Sequence, residues 1–321
     1  MCEPIYIGVD CGGSRTTVTA VDSKGNVLGS HTGGGINFYS EGMERARNTL
    51  KEAVEGLKQK IGIEGEVYLS IGMSALDDYA TCEQLLSFCG NAFNPKTTFM
   101  CSDIVAGLYG LTLGDPGVML ISGTGMIAAA LNQNKDVLIS GGLGYLLNDE
   151  GGCYGIGHAG ILSAIRALEK VGPPTVLSEK LLSFYGIPYY RDLIPILYGK
   201  ENINGYIASF AMMVLEASRE GDAEASRIVD QNLGILVAHA NRLLGEIQFE
   251  AAKLGVYGGL FEKNPDILNR FQQAVAQTHP GVRVQIPSIP PQIGAVLYAL
   301  SQIQPPSWKE TALNIKKQFE S

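Results

Sequence analysis

The fold is decided by the stretch Ile5-Tyr6-Ile7-Gly8-Val9-Asp10-Cys11-Gly12-Gly13-Ser14-Arg15-Thr16-Thr17, because a similar stretch returns in the second half of the chain. The second copy is Val118-Met119-Leu120-Ile121-Ser122-Gly123-Thr124-Gly125. Each copy has the pattern of a buried strand, a tight glycine loop, a second strand, a polar turn and a third strand. Two like halves, each opening with a loop that can present backbone N–H groups, predict a two-domain clamp that closes on phosphates. A chance match is the alternative.

Composition limits the class of protein. The 321 residues suggest two domains, at roughly 150 residues per domain. A hydrophobic content of 45% with 17% charged residues is that of an ordinary globular protein. The net charge of -8 gives no basic footprint for nucleic acid, and we expect no nucleic-acid or membrane partner.

The cellular compartment is predicted from the residues before the first strand and from the cysteines. The strand begins at Ile5 with no basic segment before it, unlike a signal peptide. No apolar run approaches the 18 or so residues of a membrane span. The six cysteines show no CxxC spacing, which favours reduced thiols in a cytoplasmic protein. A metal or cluster site assembled from distant cysteines is the alternative.

The first half is predicted to form a mixed sheet with helices on its faces, because three antiparallel strands are followed by alternating helices and strands. Residues 111–117 form the expected crossing to the second half. The predicted strands are 5–9, 16–21, 27–31, 67–73 and 98–101, and the predicted helices are 41–60, 79–89 and 104–110.

The second half repeats the three strands and then departs from the first. A helix over 154–171 precedes a long helical insertion over 177–249. Strands at 253–257 and 282–286, a helix at 293–302 and a last helix at 307–319 follow, and we expect the last helix to pack back on the first half. The predicted domains are residues 1–114 with 305–321, and residues 115–304.

The first glycine loop has the residues of a metal–nucleotide site. Asp10 ends a strand at the mouth of a glycine turn, where a carboxylate can hold Mg²⁺ through water and backbone amides can hold phosphate. A purely structural hairpin turn explains the loop equally well. No GxxxxGK[ST] occurs in the chain, so the loop is not a Walker A motif. A strand follows the glycines, which argues against a dinucleotide fingerprint.

Three further glycine motifs are weak when taken singly. Ser122-Gly123-Thr124-Gly125 gains value as the counterpart of the first loop. Gly258-Gly259 follows the 253–257 strand, and Gly294 opens a helix, so the backbone must come close to something at both places. A structural reason suffices for either motif alone.

Taken together, these motifs resemble one family. Asp10-x-Gly-Gly-Ser-Arg-Thr, Ser-Gly-Thr-Gly, Gly-Gly-Leu-Gly-x-x-x-Asn-Asp-Glu-Gly-Gly and the glycine pair at 258 occur in the order found in the N-acetylglucosamine kinase-like branch of the BadF/BadG/BcrA/BcrD ATPase family. The resemblance covers nearly the whole chain. It implies two duplicated actin-like ATPase (ribonuclease H-like) α/β domains with a nucleotide cleft between them, within the actin, hexokinase and Hsp70 superfamily.

By this resemblance the glycine motifs bind ATP–Mg²⁺. The first phosphate loop comprises Gly12, Gly13, Ser14, Arg15 and Thr16, with Asp10 holding Mg²⁺ through water. The second loop includes Thr124 and Gly125. Gly258 and Gly259 resemble the adenosine motif, and Gly294 resembles a packing point close to the nucleotide.

Asp103 matches the catalytic aspartate of the family. It follows a predicted strand at the start of a helix, where a carboxylate can accept the proton of a sugar hydroxyl. The alternative is that Asp103 or Ser102 simply caps the helix.

The sugar site is implied in the same way. Asn37 corresponds to an asparagine that contacts the sugar, and Asp149 to an acidic residue that holds ring hydroxyls, which suits selection by paired hydrogen bonds. Their alternatives are a turn residue and a solvated or capping acid. The other predicted sugar-binding residues are Asp103, Gly123, Thr124 and Gly142.

The chain departs from the family pattern at Leu143, where animal enzymes carry tryptophan, and at Phe38-Tyr39, which follow the sugar-binding asparagine. Leu143 is smaller than tryptophan and would make room for a lactyl ether. The choice between N-acetylglucosamine, N-acetylmuramic acid and glucosamine is therefore open.

We expect an ATP-dependent amino-sugar kinase that phosphorylates a hydroxyl, the 6-hydroxyl, of N-acetylglucosamine or N-acetylmuramic acid, and that forms a homodimer. A glucosamine or other hexose kinase is the first alternative. An electron-transfer activator ATPase would need an iron–sulfur cluster, for which Cys82 and Cys89 are the nearest candidates, without a matching motif. A sugar-responsive regulator would need a DNA-binding module, for which the sequence before Asp10 leaves no room.

Overall fold

The computed structural model describes residues 3–12, 15–36, 42–64, 67–74, 76, 80–147, 150–200, 202–249 and 252–320. It contains two five-stranded sheets with helices. None of the described helices combines the length and apolarity needed to cross a bilayer. The strands are β1 (Tyr6–Cys11), β2 (Arg15–Val21), β3 (Val27–Gly34), β4 (Tyr68–Met73), β5 (Thr98–Cys101), β6 (Gly117–Ser122), β7 (Met126–Leu131), β8 (Val137–Gly141), β9 (Lys253–Tyr257) and β10 (Val284–Gln285).

The helices fall where apolar periodicity predicts them, with ends shifted by a few residues. A short 3₁₀ helix covers Tyr190–Asp192. The α-helices are α1 (Met43–Ile61), α2 (Cys82–Cys89), α3 (Asp103–Thr112), α4 (Cys153–Leu168), α5 (Leu177–Tyr185), α6 (Leu193–Tyr198), α7 (Ile203–Ala208), α8 (Ala211–Arg219), α9 (Ala223–Ile247), α10 (Gly259–Glu262), α11 (Pro265–Thr278), α12 (Pro291–Ile303) and α13 (Trp308–Phe319).

The two sheets repeat one strand order. The first sheet has the order β3-β2-β1-β4-β5, and the second, written from its other edge, has the order β8-β7-β6-β9-β10. In the first sheet β1 pairs antiparallel with β2 and parallel with β4, and β4 pairs parallel with β5. The internal repeat in the sequence therefore corresponds to a repeated topology, and the predicted α/β architecture is confirmed.

The polar turns between β2 and β3 and between β7 and β8 share their hydrogen bonds. Asp22 Oδ1 accepts the N–H groups of Lys24 and Asn26 at 2.9 and 2.8 Å. Asn132 Oδ1 accepts the N–H groups of Asn134 and Asp136 at 2.8 and 2.9 Å. The next-to-last turn residue is left-handed in both, Gly25 with φ 91° and Lys135 with φ 70°. The match between the two halves therefore extends to the hydrogen bonds of these turns.

The chain forms two compact units. The first comprises Met1–Met119, Ala129–Ile139 and Gln285–Ser321, and the second comprises Leu120–Ala128 and Ser140–Val284. The first unit thus holds helix α12, which the predicted boundary at 114/115 leaves in the second domain. The division into two functional domains stays a prediction.

In the first unit, helices cover both faces of the first sheet. The amphipathic helix α1 buries Leu50, Val54 and Leu57 in a core with Ile7 and Ile71. Helices α3 and α12 pack on the other face, where glycines permit close approach. A Cβ built at Gly8 would lie 1.8 Å from the carbonyl oxygen of Gln292, and one at Gly294 would lie 2.0 Å from that of Ala106.

The last helix, α13, contacts the turn between β2 and β3. Thr311 Oγ1 donates to the carbonyl oxygen of Ser23 at 2.8 Å, and Gln318 Nε2 donates to that of Gly25 at 2.7 Å. A Cβ at Gly25 would lie 2.7 Å from the carbonyl oxygen of Thr311. The end of the chain thus packs back on its first half, as the sequence predicts.

Candidate functional site

The first glycine loop is a closed hairpin between β1 and β2. The N–H of Gly12 donates to the carbonyl oxygen of Arg15 at 3.0 Å, and the carbonyl of Gly12 accepts the N–H of Ile36 at 3.0 Å. The N–H of Gly12 is therefore already used within the protein. A phosphate at this loop would rely on the amides of Gly13 and Ser14, which lie outside the described residues, and on the exposed Arg15.

Thr16 is the most buried of the predicted phosphate-loop residues. Its side chain is inaccessible to solvent and lies on the face of β2 that also carries Val18 and Ala20 in the core. Among the described residues, Thr16 Oγ1 has no hydrogen-bond partner. The structure therefore gives the Thr16 side chain a place in the core, and its contact with the nucleotide stays a prediction.

Asp10 and Asp103 come to the same edge of the first sheet. Asp10 pairs with Gly72 on β4, and Gly72 pairs with Cys101 at the end of β5, two residues before Asp103. Parallel strands bring their carboxyl ends to one edge, which is where α/β proteins bind ligands. Gly72 has no side chain, and a Cβ there would lie 3.9 Å from the Cα of Asp103.

The two carboxylates are electrostatically coupled. Burial, and next the negative charge of Asp103, raise the pKa of Asp10 to about 6, against a smaller lowering by Arg15. Burial also raises the pKa of Asp103, and hydrogen bonds from the backbone N–H groups of Ile104 and Asp103 reduce that rise. Carboxylate oxygens are the ligands that Mg²⁺ prefers, and a divalent cation near them would offset their repulsion. Asp10 and Asp103 therefore fit a magnesium–phosphate site.

The cap of helix α3 is Ser102. Its Oγ accepts the N–H of Val105 at 3.4 Å, and the residue has the extended backbone of an N-cap. Asp103 occupies the first helical position, where its Oδ1 accepts the N–H of Ile104 at 2.7 Å. The helix is thus capped without Asp103, so capping does not account for an acid at that position.

The second glycine loop is a tighter hairpin held by helix α4. The N–H of Gly123 donates to the carbonyl oxygen of Gly125 at 3.0 Å. The first N–H groups of α4 bind the loop: Cys153 donates to the carbonyl of Gly123 at 2.9 Å and Tyr154 to that of Thr124 at 2.8 Å. Thr124 is exposed at the tip of the loop.

The other glycine motifs now have identified neighbours. Gly258 has φ 100°, and a Cβ there would lie 2.4 Å from the carbonyl oxygen of Ser122, whereas nothing lies within 4 Å of a Cβ at Gly259. Gly294 is in contact with Ala106 on α3, three residues beyond Asp103. Gly142 has φ 75° and donates its N–H to the carbonyl of Met126 at 2.9 Å. Packing alone requires glycine at 258 and 294, so their contact with a nucleotide stays a prediction.

Two predicted sugar-binding residues, Asn37 and Asp149, lie outside the described residues. Leu143, next to Gly142, is 61% exposed and is therefore free to face a ligand. Sequence reasoning named Ser122 within the second loop motif but missed a second buried polar residue beside it, Asn232; the two are 0% and 6% exposed. A signal for Asn232 exists, because it interrupts the apolar stripe of α9.

The cysteines do not assemble a site within the described part of the chain. No three His, Cys, Asp or Glu side chains there are grouped as a metal would need. Cys82 and Cys89 stand at opposite ends of α2, one exposed and the other buried, and burial raises the pKa of the Cys89 thiol. These two thiols are poorly arranged to hold a cluster together.

Comparison with known proteins identifies the family. The sequence pattern of the BadF/BadG/BcrA/BcrD ATPase family matches residues 7–299. The chain belongs to this family. The BadF/BadG/BcrA/BcrD match spans the first loop, Asp103, the second loop and both later glycine motifs, so all of them lie within one family pattern.

Two kinases are among the proteins that are similar to this chain in sequence. The N-acetyl-D-glucosamine kinase of Dictyostelium discoideum is 28% identical over 323 residues, covering 94% of this chain and 99% of that protein. The N-acetylmuramic acid/N-acetylglucosamine kinase of Clostridium acetobutylicum is 28% identical over 306 residues, covering 92% and 98%.

A solved structure shares the fold. A Chromobacterium violaceum protein, provisionally described as an N-acetylglucosamine kinase, superposes with a TM-score of 0.72 at 21% identity, covering 92% of this chain and 99% of that one. The predicted fold is thus confirmed over nearly the whole length of this chain.

Proposed function

We propose that the protein is an ATP-dependent amino-sugar kinase that transfers the γ-phosphate of ATP to the 6-hydroxyl of N-acetylglucosamine or N-acetylmuramic acid. The observation that carries this proposal is the position of Asp103, beside Asp10 at the carboxyl edge of the first sheet and not required as a helix cap. The names of the two relatives, which match this chain almost end to end, support the substrate class.

In this proposal Asp103 accepts the proton of the attacking hydroxyl. Phosphoryl transfer depends mainly on position and charge, so a single carboxylate in reach of the hydroxyl is sufficient. Burial raises the pKa of Asp103, which makes the carboxylate a better base toward a hydroxyl. The N–H of Ile104 donates to Asp103 Oδ1, which fixes one carboxylate oxygen and so orients the other.

Asp10 would hold Mg²⁺ through water, and the metal would supply positive charge that offsets the charge of the phosphates. We assign phosphate contacts to Gly12, Gly13, Ser14, Arg15 and Thr16 in the first loop and to Thr124 and Gly125 in the second. Adenosine contacts are assigned to Gly258 and Gly259, with Gly294 as a packing point nearby.

The sugar contacts are assigned to Asn37 and Asp149, together with Gly123, Thr124 and Gly142. An amide and a carboxylate can each bond two neighbouring hydroxyls and so reject sugars that lack one. The exposed Leu143 would adjoin this group and make room for a lactyl ether.

The substrate is tested by one coupled assay of ADP release. We expect turnover with N-acetylglucosamine or N-acetylmuramic acid that exceeds turnover with glucosamine, N-acetylmannosamine and glucose at least tenfold. Chelation of Mg²⁺ should abolish it, and light scattering should report a homodimer. Faster turnover with glucosamine or glucose would favour the alternative hexose kinase.

The base is tested with Asp103→Asn, which should lower kcat by about 10²–10⁴-fold, the usual contribution of a positioned base. Asp115→Asn is the matched control, because Asp115 is an exposed acid just beyond the same helix. Near-wild-type turnover of a folded Asp103→Asn protein would overturn the assignment.

A further inference from the structure

Gly151 is held in one conformation by its surroundings. It has φ 93°, a left-handed value that disfavours any side chain. A Cβ there would also lie 2.9 Å from Leu236 Cδ2 and 3.2 Å from Met126 Cγ. Both features require glycine at position 151.

Both polar backbone groups of Gly151 are bound by buried side chains. Its N–H donates to Asn232 Oδ1 at 2.9 Å, and its carbonyl accepts the hydroxyl of Ser122 at 2.6 Å. Asn232 comes from the middle of helix α9, while Ser122 is the last residue of β6. A single peptide segment is thus clamped between a strand end and a distant helix.

The clamp joins two parts of the proposed site. Gly151 belongs to the motif Asn148-Asp149-Glu150-Gly151-Gly152, whose Asp149 is assigned to the sugar. Immediately after it, the N–H groups of Cys153 and Tyr154 hold the carbonyls of Gly123 and Thr124 in the second loop. Displacing Gly151 would therefore disturb the second loop, and Asp149 stands only two residues earlier in the sequence.

Packing gives no reason for an amide at position 232. The neighbours of Asn232 on the buried stripe of α9 are Ile228, Val229, Leu233 and Leu236, all apolar. A polar side chain buried in such a stripe is unfavourable unless it is hydrogen-bonded. The amide oxygen accepts the N–H of Gly151, which ties the presence of Asn232 to the position of that residue.

We propose that Asn232 is a positioning residue for the kinase reaction: with Ser122 it fixes Gly151, next to the start of helix α4 that holds the second glycine loop. This inference rests on the proposed function. It predicts that loss of the amide weakens sugar binding more than it slows the chemical step, since the group acts on a binding segment and leaves Asp103 in place.

The test compares Asn232→Ala with Ser163→Ala. Ser163 is a matched control because it is 5% exposed and its Oγ donates from α4 to Glu224 of α9 at 3.1 Å, so its loss removes one buried hydrogen bond near the same two helices. We expect Asn232→Ala to raise the KM for the sugar at least tenfold with kcat changed less than threefold. Ser163→Ala should change both less than twofold.

Two further variants separate positioning from general destabilisation. Asn232→Asp keeps an acceptor for the N–H of Gly151. Unlike Asn232→Ala, it should have a sugar KM within about threefold of the wild-type value. Ser122→Ala removes the donor to the carbonyl of Gly151 and should raise the sugar KM in the same direction as Asn232→Ala.

The outcomes distinguish the two proposals. Two results would overturn the positioning role and leave the kinase proposal standing. One is an unchanged sugar KM in Asn232→Ala. The other is a rise in sugar KM that Ser163→Ala shows equally at the same loss of melting temperature. A wild-type protein that releases no ADP with any sugar would overturn the kinase proposal and this inference with it.

Discussion

Gly72 lies in contact with Asp103, since a Cβ at position 72 would be 3.9 Å from the Cα of Asp103. The same Cβ would be 3.1 Å from the Cβ of Ala106 and 3.3 Å from the carbonyl oxygen of Val9. The absence of a side chain on β4 is thus what lets the first turn of α3 settle on the sheet beside Asp10.

Gly72→Ala should therefore push the start of α3 outward and lower kcat at least tenfold, since small misplacements of a reacting group are costly. The matched control is Gly107→Ala on the same helix. A Cβ there would lie 3.1 Å from Met119 Cε, the flexible end of a side chain that can move. Steady-state kinetics should show less than a twofold change for Gly107→Ala, and equal effects of the two substitutions would contradict this prediction.

Asp10 should make the free protein less stable as pH rises. Its pKa of about 6 in the folded state lies above the ordinary value of about 3.9. The folded state then holds the proton more firmly, so stability is full below pH 4 and falls as pH rises through 6. Asp10→Asn removes this loss and should stabilise the protein by about 1–3 kcal/mol at pH 8 but hardly at pH 4.

Urea unfolding at the two pH values measures this effect, with Asp115→Asn as an exposed control. Activity should move in the opposite direction, because an amide is a poor ligand for Mg²⁺. A variant less stable than wild type at pH 8 would show that the carboxylate is compensated in the folded protein.

Gly258 and Gly259 should respond differently to alanine. At position 258 a Cβ would combine a φ of 100° with a distance of 2.4 Å to the carbonyl oxygen of Ser122. We therefore expect Gly258→Ala to lower the free energy of unfolding by about 2–4 kcal/mol. Gly259→Ala meets nothing within 4 Å and should leave the melting temperature unchanged. If Gly259 contacts the nucleotide as proposed, its variant should still raise the KM for ATP, and an unchanged value would remove Gly259 from the site.

The contact of α13 with the turn between β2 and β3 should affect stability and leave catalysis unchanged. Thr311→Val keeps the shape of a side chain that is 2% exposed but removes its hydrogen bond to Ser23. Leaving that carbonyl unpaired should cost about 1–2 kcal/mol. Thermal unfolding should register the loss while kcat stays within twofold of wild type, and a large fall in kcat would assign α13 a part in the reaction.

Local patterns in the sequence predict most elements because they depend on near neighbours. Strand β5 falls at residues 98–101 as predicted, and α1 lies within two residues of its predicted bounds. The strand expected at 282–286 is reduced to β10, because the side chain of Gln272 binds the backbone of Val282 and Val284 in place of a neighbouring strand. Such a side chain, ten residues away on a helix, leaves no periodic signal.

The candidate site divides in the same way. The positions of Asp10 near the end of β1 and of Asp103 just beyond β5 could be predicted, because parallel strands bring such residues to one edge. The catalytic role of Asp103 is implied by the family resemblance. The partners of Gly258 and Gly294 could not be predicted, since close approach depends on where distant backbone lies. Asn232 reaches Gly151 across 81 positions of the chain, and only its place on an apolar stripe distinguishes it beforehand.

The paired turns after β2 and β7 carry a consequence for detecting repeats. In the first turn the carboxylate comes first and the amide last, Asp22 and Asn26, with their side chains 2.8 Å apart. In the second the order is reversed, Asn132 and Asp136, at 3.0 Å. The exchange keeps the first residue as acceptor of two backbone N–H groups, keeps the single negative charge and reverses only the direction of the side-chain hydrogen bond, so a residue-by-residue score counts two mismatches where the hydrogen-bonded turn is the same. Ancient duplications of this kind are better sought by aligning hydrogen-bonding roles than by aligning letters.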